Sequence, residues 1–180
     1  MTDDLLLGCG LNRVRMLGPA GQDWGRLVTL DFNADHNPDV VWDLSKLPLP
    51  FEDNSFDTIS AFEVMEHVGQ QGDWKFFFDQ WSDLWRILRP NGRFFGTSPR
   101  WNDPWAWGDP GHTRIISDAC LGFLNQPNYA QVGTTPMTDY RFCYKADFDI
   151  LEVQSINPGQ FAYALLAIKP SRVKDGKAAA

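Results

Sequence analysis

Glu63-x-x-Glu66-His67 places two carboxylates and an imidazole within five residues, and a later histidine, His112, sits in Asp109-Pro110-Gly111-His112. Side chains three and four apart share a helix face. If a helix begins at Glu63, the three groups converge and offer oxygen-rich ligation suited to Mg²⁺ or Mn²⁺. His67 and His112 are also the candidates for a general base that takes a proton from a hydroxyl nucleophile. The plainer alternative is that Glu66 and His67 cap and pack a helix start.

A second group of residues reads as a ligand cradle. Leu5-Leu6-Leu7-Gly8-Cys9-Gly10 is a buried-strand run that ends in a glycine turn. About twenty residues on, the spacing of a nucleotide-binding βαβ unit, Leu27-Val28-Thr29-Leu30 ends in Asp31. Val40-Val41-Trp42 ends in Asp43 in the same way. Glycines after the first strand let the backbone approach a ligand, and acids at the next strand tips can accept from ribose hydroxyls and an adenine amine. The pattern expects an adenosine-type ligand. The alternative is that Asp31 and Asp43 merely end their strands and begin turns.

These side chains need a sheet to position them. Strand signals near 4–8, 27–31, 39–42, 56–62 and 92–97 alternate with helix signals, which predicts an α/β fold with a mostly parallel sheet. The best helix is about 73–88, where Trp74, Phe77, Phe78, Trp81, Leu84, Trp85 and Leu88 form one apolar face. That stripe reads as core, and Arg89-Pro90-Asn91-Gly92 stops it. Phe148–Ile156 and Phe161–Ile168 flank Asn157-Pro158-Gly159, a tight turn, so an antiparallel hairpin is expected at the sheet edge. The expected organisation is one domain over 1–170 and a disordered tail over 171–180. Trp101, Trp105 and Trp107 follow the fifth strand, at the carboxyl end of the sheet where ligands bind in such folds. They form either a wall for a ligand or the packing of a long loop.

The 180 residues carry 16 Lys+Arg against 23 Asp+Glu, a formal charge of −7. That argues against a nucleic-acid partner, which rewards a basic surface. Arg86, Arg89, Arg93 and Arg100 are the nearest thing to a basic patch. Cys9, Cys120 and Cys143 are odd in number and lack the spacing of a disulfide framework or zinc site. No apolar run is long enough to span a bilayer, and no signal peptide is expected before the first strand. The expected compartment is the cytoplasm, with no membrane partner.

With these residues in place, the chain resembles the class I S-adenosylmethionine-dependent methyltransferases, and within them the branch whose first strand reads Leu-x-Leu-Gly-Cys-Gly. The resemblance is carried by Leu5–Gly10, Asp31, Asp43-Leu44, the block from Leu47 to Asp57, Glu63-Val64-Met65-Glu66-His67-Val68 and Trp85–Arg93. It covers roughly residues 4–100 well, and the remainder by architecture. It implies a Rossmann-like, doubly wound, seven-stranded sheet and S-adenosylmethionine as cofactor. Carried over by position, it implies that Gly8, Cys9 and Gly10 contact the methionine and ribose. Asp31 would hold the ribose hydroxyls, Phe32 would pack on adenine, and Asp43 and Leu44 would meet the adenine edge. Phe62 and Glu63 would line the pocket near the methyl group. Glu-x-x-Glu-His is similar to a motif of metal-dependent O-methyltransferases, some acting on RNA 2′-hydroxyls. Those RNA enzymes add a later histidine, for which His112 is the candidate, so the implied metal ligands are Glu63, Glu66, His67 and His112.

Two family positions differ: Leu6 stands where an acid is common, and Asn12 replaces the third loop glycine. The usual helix before the first strand is also missing, so part of the lid is either missing or supplied by a second subunit, as in a homodimer. The leading expectation is a methyltransferase acting on oxygen of a small-molecule or glycan-type acceptor. The alternatives are a metal-assisted RNA 2′-O-methyltransferase and a degenerate cofactor-binding protein without transferase activity. A nicotinamide domain fits least, for want of the third glycine. DNA base amino-methylation is disfavoured by the absence of an Asn-Pro-Pro-Tyr or Asp-Pro-Pro-Tyr motif.

Overall fold

The computed structural model describes residues 2–17 and 23–174. Seven strands form one sheet: β1 (Asp3–Leu7), β2 (Arg26–Asp31), β3 (Val40–Val41), β4 (Phe56–Phe62), β5 (Leu88–Pro99), β6 (Phe148–Asn157) and β7 (Gln160–Ala167). Their order is β3-β2-β1-β4-β5-β7-β6. The first five run parallel, and β7 is antiparallel to both β5 and β6. The edge hairpin therefore stands where the turn Asn157-Pro158-Gly159 places it.

Strand alternation sorts the two faces. Val28, Leu5, Ile59, Phe94, Leu165 and Ile150 align in one row across the sheet. Thr29, Leu6, Ser60, Phe95, Ala164 and Glu152 form the row behind it. The large aliphatic row recruits α1 (Trp74–Ile87), whose Phe78, Trp81, Leu84 and Ile87 are buried against it. Asp73 caps α1, accepting from the Phe76 N–H at 3.0 Å, and so satisfies a first-turn donor. The smaller, more polar row lies on the side of the β1–β2 connection, where Met16 and Leu17 line a cleft with Phe95 and Ala164. Among the described residues of that connection there is no helix.

Two expectations are corrected in detail. β5 is longer than 92–97: Arg89-Pro90-Asn91-Gly92 does end α1, but it is taken up as an irregularity in the β4–β5 pairing, between Leu88 and Arg93. Asn91 there has φ +62°. In the segment expected as a tail from residue 171, Arg172 makes contacts to the body of the fold. Arg172 pairs with Asp147, which is fully buried, at 2.7 Å and with Asp149 at 2.6 Å. Residues 175–180 lie outside the described residues. No helix of the described residues is long and apolar enough to cross a membrane.

Candidate active site

The glycine turn after β1 is shaped by a close approach. Gly8 has φ +56°, and a Cβ there would stand 2.6 Å from the Val64 side chain, so only glycine fits. Gly10 donates its N–H to Asp31 Oδ2 at 2.8 Å, and Asn33 N–H donates to Asp31 Oδ1 at 2.9 Å. His36 Nδ1 lies 3.1 Å from Oδ2. Burial pushes the Asp31 carboxyl up, but these backbone donors and His36 outweigh it, and its pKa lies below the usual value. Asp31 thus stays a carboxylate although it is buried. Arg13 ties the turn to the 3-10 segment Ala34–His36, donating to Gly10 O at 2.6 Å and to His36 O at 2.8 Å. Asp43 is likewise held below its usual range, by the hydroxyl and N–H of Ser45.

These tips open on a cavity of about 1090 Å³ at the carboxyl ends of β1, β2 and β4. Gly8, Gly10, Asp31, Phe32, Asp43, Leu44 and Glu63, all expected from sequence, line it. Cys9 and Phe62 do not: Cys9 is buried, with its N–H bonded to Leu30 O at 3.2 Å. The sequence reading missed His36, Trp42 and His67 as cavity residues, though His67 was expected in another role. His36 carried a signal, since Asn33 caps its 3-10 turn by accepting from the Asp35 N–H at 3.0 Å.

The far end of the cavity departs from the expected helix. Glu63 takes φ +55° and donates its N–H to Thr97 O at 3.0 Å, so β4 ends in a left-handed residue. Only a single 3-10 turn, Met65–His67, follows. The shared helix face is therefore not formed. Glu66, His67 and His112 still converge, with one ligand atom from each within 4.8 Å of the others, and Glu63 stands outside this group. His67 Nδ1 lies 3.0 Å from Gly111 O. A carbonyl only accepts, so Nδ1 carries a proton, and in the neutral ring Nε2 bears the lone pair. The His67 and His112 rings meet edge to face at 4.6 Å.

Glu66 lies behind them, 2% exposed. Ser98 Oγ donates to its Oε2 at 3.0 Å, and Oε1 has no partner. Burial pushes its carboxyl up to about 8, reinforced by nearby Glu63, against too little help from Ser98 and Arg114. Burial thus favours its protonated form at neutral pH.

The segment carrying His112 is stitched to this turn. Thr113 and Arg114 N–H both donate to Glu66 O, at 3.0 and 3.2 Å. Buried Arg114 donates through Nε to Met65 O at 2.9 Å and through Nη2 to Gln80. Upstream, Trp101, Trp105 and Trp107 are 59%, 59% and 70% exposed, so they are not loop packing. Two arginines of the suspected basic patch are committed elsewhere: Arg86 to Asp53 and Asp83, Arg89 to Asp3 and Asp57.

Comparison with known proteins gives the cavity a context. Residues 5–96 match a family model described as a methyltransferase domain. No curated protein matches the chain. Among solved structures, a SAM-dependent methyltransferase from Aquifex aeolicus is similar at 13% identity and TM-score 0.55, over 93% of this chain and 82% of that one. A Haloferax volcanii protein solved in complex with the Trm112 methyltransferase activator is similar at 17% identity and TM-score 0.57, over 93% and 83%. The [4+2]-cyclase SpnF is similar at 11% identity and TM-score 0.54, over 93% and 74%. At such identities the likeness is one of fold, and fold alone does not fix a reaction.

Proposed function

Because the chain belongs to the methyltransferase domain family, we propose that it transfers a methyl group from S-adenosylmethionine to an oxygen of a small-molecule or glycan-type acceptor. One observation supports this reading most: a single cavity joins an ionised Asp31 cradle to His67, whose Nε2 lone pair is free. The residues fit the cofactor. Asp31, with both oxygens oriented by backbone donors, would take the ribose hydroxyls. Asp43, Leu44, Trp42 and Phe32 would surround the adenine, and the glycine turn would admit the methionine. When bound, the cofactor supplies an electrophilic methyl on a sulfonium that is already a good leaving group.

The chain's own part is then positioning, exclusion of water and removal of one proton. Holding the reacting groups in line supplies several kcal/mol of the barrier. A hydroxyl acceptor must lose its proton, and His67 Nε2 receives it while Gly111 O steadies Nδ1–H. The unpaired cysteines suit a reducing cytoplasm. The test is a calorimetric titration with S-adenosylhomocysteine, followed by a methyl-transfer screen over hydroxyl acceptors. Micromolar binding with turnover is expected. Absence of binding overturns the reading, and binding without turnover on any acceptor favours a cofactor-binding protein that has lost transfer.

A second reading adds a divalent cation at Glu66, His67 and His112. It is favoured by the orphaned Oε1 of Glu66 beside two imidazoles, a donor set that a cation would complete. Metal-assisted 2′-O-methylation of RNA would use such a centre, but the formal charge of −7 opposes an RNA partner. Titration with Mg²⁺ or Mn²⁺ decides: binding to the native chain that is lost in a folded Glu66→Ala variant supports the metal. An unchanged isotherm in that variant removes it.

A further inference from the structure

Beyond the cofactor cavity, the segment after β5 borders a second cleft, of about 220 Å³. It lies between the end of β5, the start of α3 (Asp118–Leu121) and the β6–β7 hairpin. Trp101 and Phe161 give it aromatic walls, and Arg100, Ser117, Asp118 and Gln154 give it polar ones. Trp107, on the one-turn α2 (Trp105–Gly108), donates its indole N–H to Trp101 O at 3.0 Å. Trp105 of the same turn stands 6.3 Å from the His112 ring, which meets the cavity-lining His67. Three rings, His67, His112 and Trp105, thus follow one another from the candidate methyl-transfer end, and the turn that carries Trp105 is tied by Trp107 to Trp101 at the polar cleft.

The chemistry of this surface narrows its ligand. A covered indole removes 150–250 Å² from water, so Trp101, left more than half exposed on the wall of a cleft, marks a surface that a ligand would cover. The polar walls exclude a purely apolar ligand. The charged lining of the cleft is one arginine and one carboxylate, Arg100 and Asp118, so it lacks the basic excess that a phosphate backbone or an anionic membrane rewards. A sugar ring meets what is left: its flat C–H face suits an indole, and its rim of hydroxyls suits carboxylate, amide and serine side chains. The cleft has room for a single ring.

We propose that this cleft is a saccharide subsite, so that the acceptor is a neutral oligosaccharide. One of its sugars would stack on Trp101, with hydroxyls bonded to Asp118 and Gln154, and another would lie at the His67 end of the cavity. The placement of the reacting sugar rests on the methyl-transfer reading, whereas the subsite itself does not.

The native chain is tested on an array of neutral oligosaccharides, and hits are quantified by tryptophan fluorescence and calorimetry. Binding is expected for at least one linear oligosaccharide. Trp101→Ala should weaken it about tenfold, the scale of one lost stacking contact, and Trp101→Phe should keep most of it. Affinity for S-adenosylhomocysteine should not change in either variant. Binding to no neutral oligosaccharide, or equal binding by Trp101→Ala, overturns the proposal. Oligosaccharide binding by a chain that does not bind S-adenosylhomocysteine supports the subsite while overturning methyl transfer, so the two readings fail separately.

Discussion

Asp31 and Glu66 stand at opposite ends of one site, both buried and both beside a histidine, yet their charges differ. Asp31 sits at a strand tip where the Gly10 and Asn33 N–H groups and His36 face it, and it ionises readily. Glu66 sits in a 3-10 turn with one hydroxyl donor and an orphaned oxygen, and it holds its proton to about pH 8. Burial alone does not set the charge of an acid; the number of fixed donors does. The Asp31 end is thus a fully oriented hydrogen-bond acceptor, and the far end stores a proton and an unmet valence.

The sharpest way to break this contrast is pH. Glu66 is raised, so the native chain keeps a proton that the unfolded chain releases above 4.5. Its contribution to stability therefore falls as pH rises from about 4.5 to about 8, by up to about 1.4 kcal/mol per pH unit. Asp31 has the opposite sign: its contribution is present above its usual value and is lost as pH falls through its lowered one. Glu66→Gln should flatten the profile of denaturant midpoint between about pH 5 and pH 8 relative to the native chain. Parallel profiles for the two would show that Glu66 is not a protonated buried acid.

A smaller effect is expected beneath the far end. Gly96 leaves room for the Tyr163 ring, since a Cβ there would stand 2.2 Å from Cζ. Tyr163 is itself 1% exposed and cannot move aside. Gly96→Val should cost about 2–3 kcal/mol of stability by overpacking, read by thermal unfolding. Affinity for S-adenosylhomocysteine in the folded protein should hold, because the Asp31 end is built on other strands. The smallest effect belongs to that end: Asp31→Ala should weaken S-adenosylhomocysteine by about 1–2 kcal/mol through unpaired hydroxyls. Glu66→Gln should leave that affinity unchanged, and equal losses in both variants would erase the distinction between the two ends.

The same contrast explains what could be read from sequence. β1, β2, β4 and α1 follow from apolar runs and helical spacing, and their tips carry Gly8, Asp31 and Asp43 into the cavity because a strand tip has one place to go. Periodicity is silent about Glu63. Its left-handed backbone is fixed by Thr97, 34 residues away, which is why the expected helix face did not form. His36 and Trp42 lie in connections whose course is set by Arg13 and by the Trp42 N–H to Asp31 O bond, not by any repeat. Convergence of His67 and His112 likewise needed contacts 44 residues apart.

The stitches between the two loops carry a consequence in time. The amides of Thr113, Arg114 and Ile115 belong to no helix or strand, yet all three donate to oxygens of the 66–71 segment. Solvent deuterium can replace them only when those oxygens let go. The His112 loop should then exchange as slowly as the turn beneath it, and the two should open together, in one event, so that the histidine pair forms and parts on a single clock.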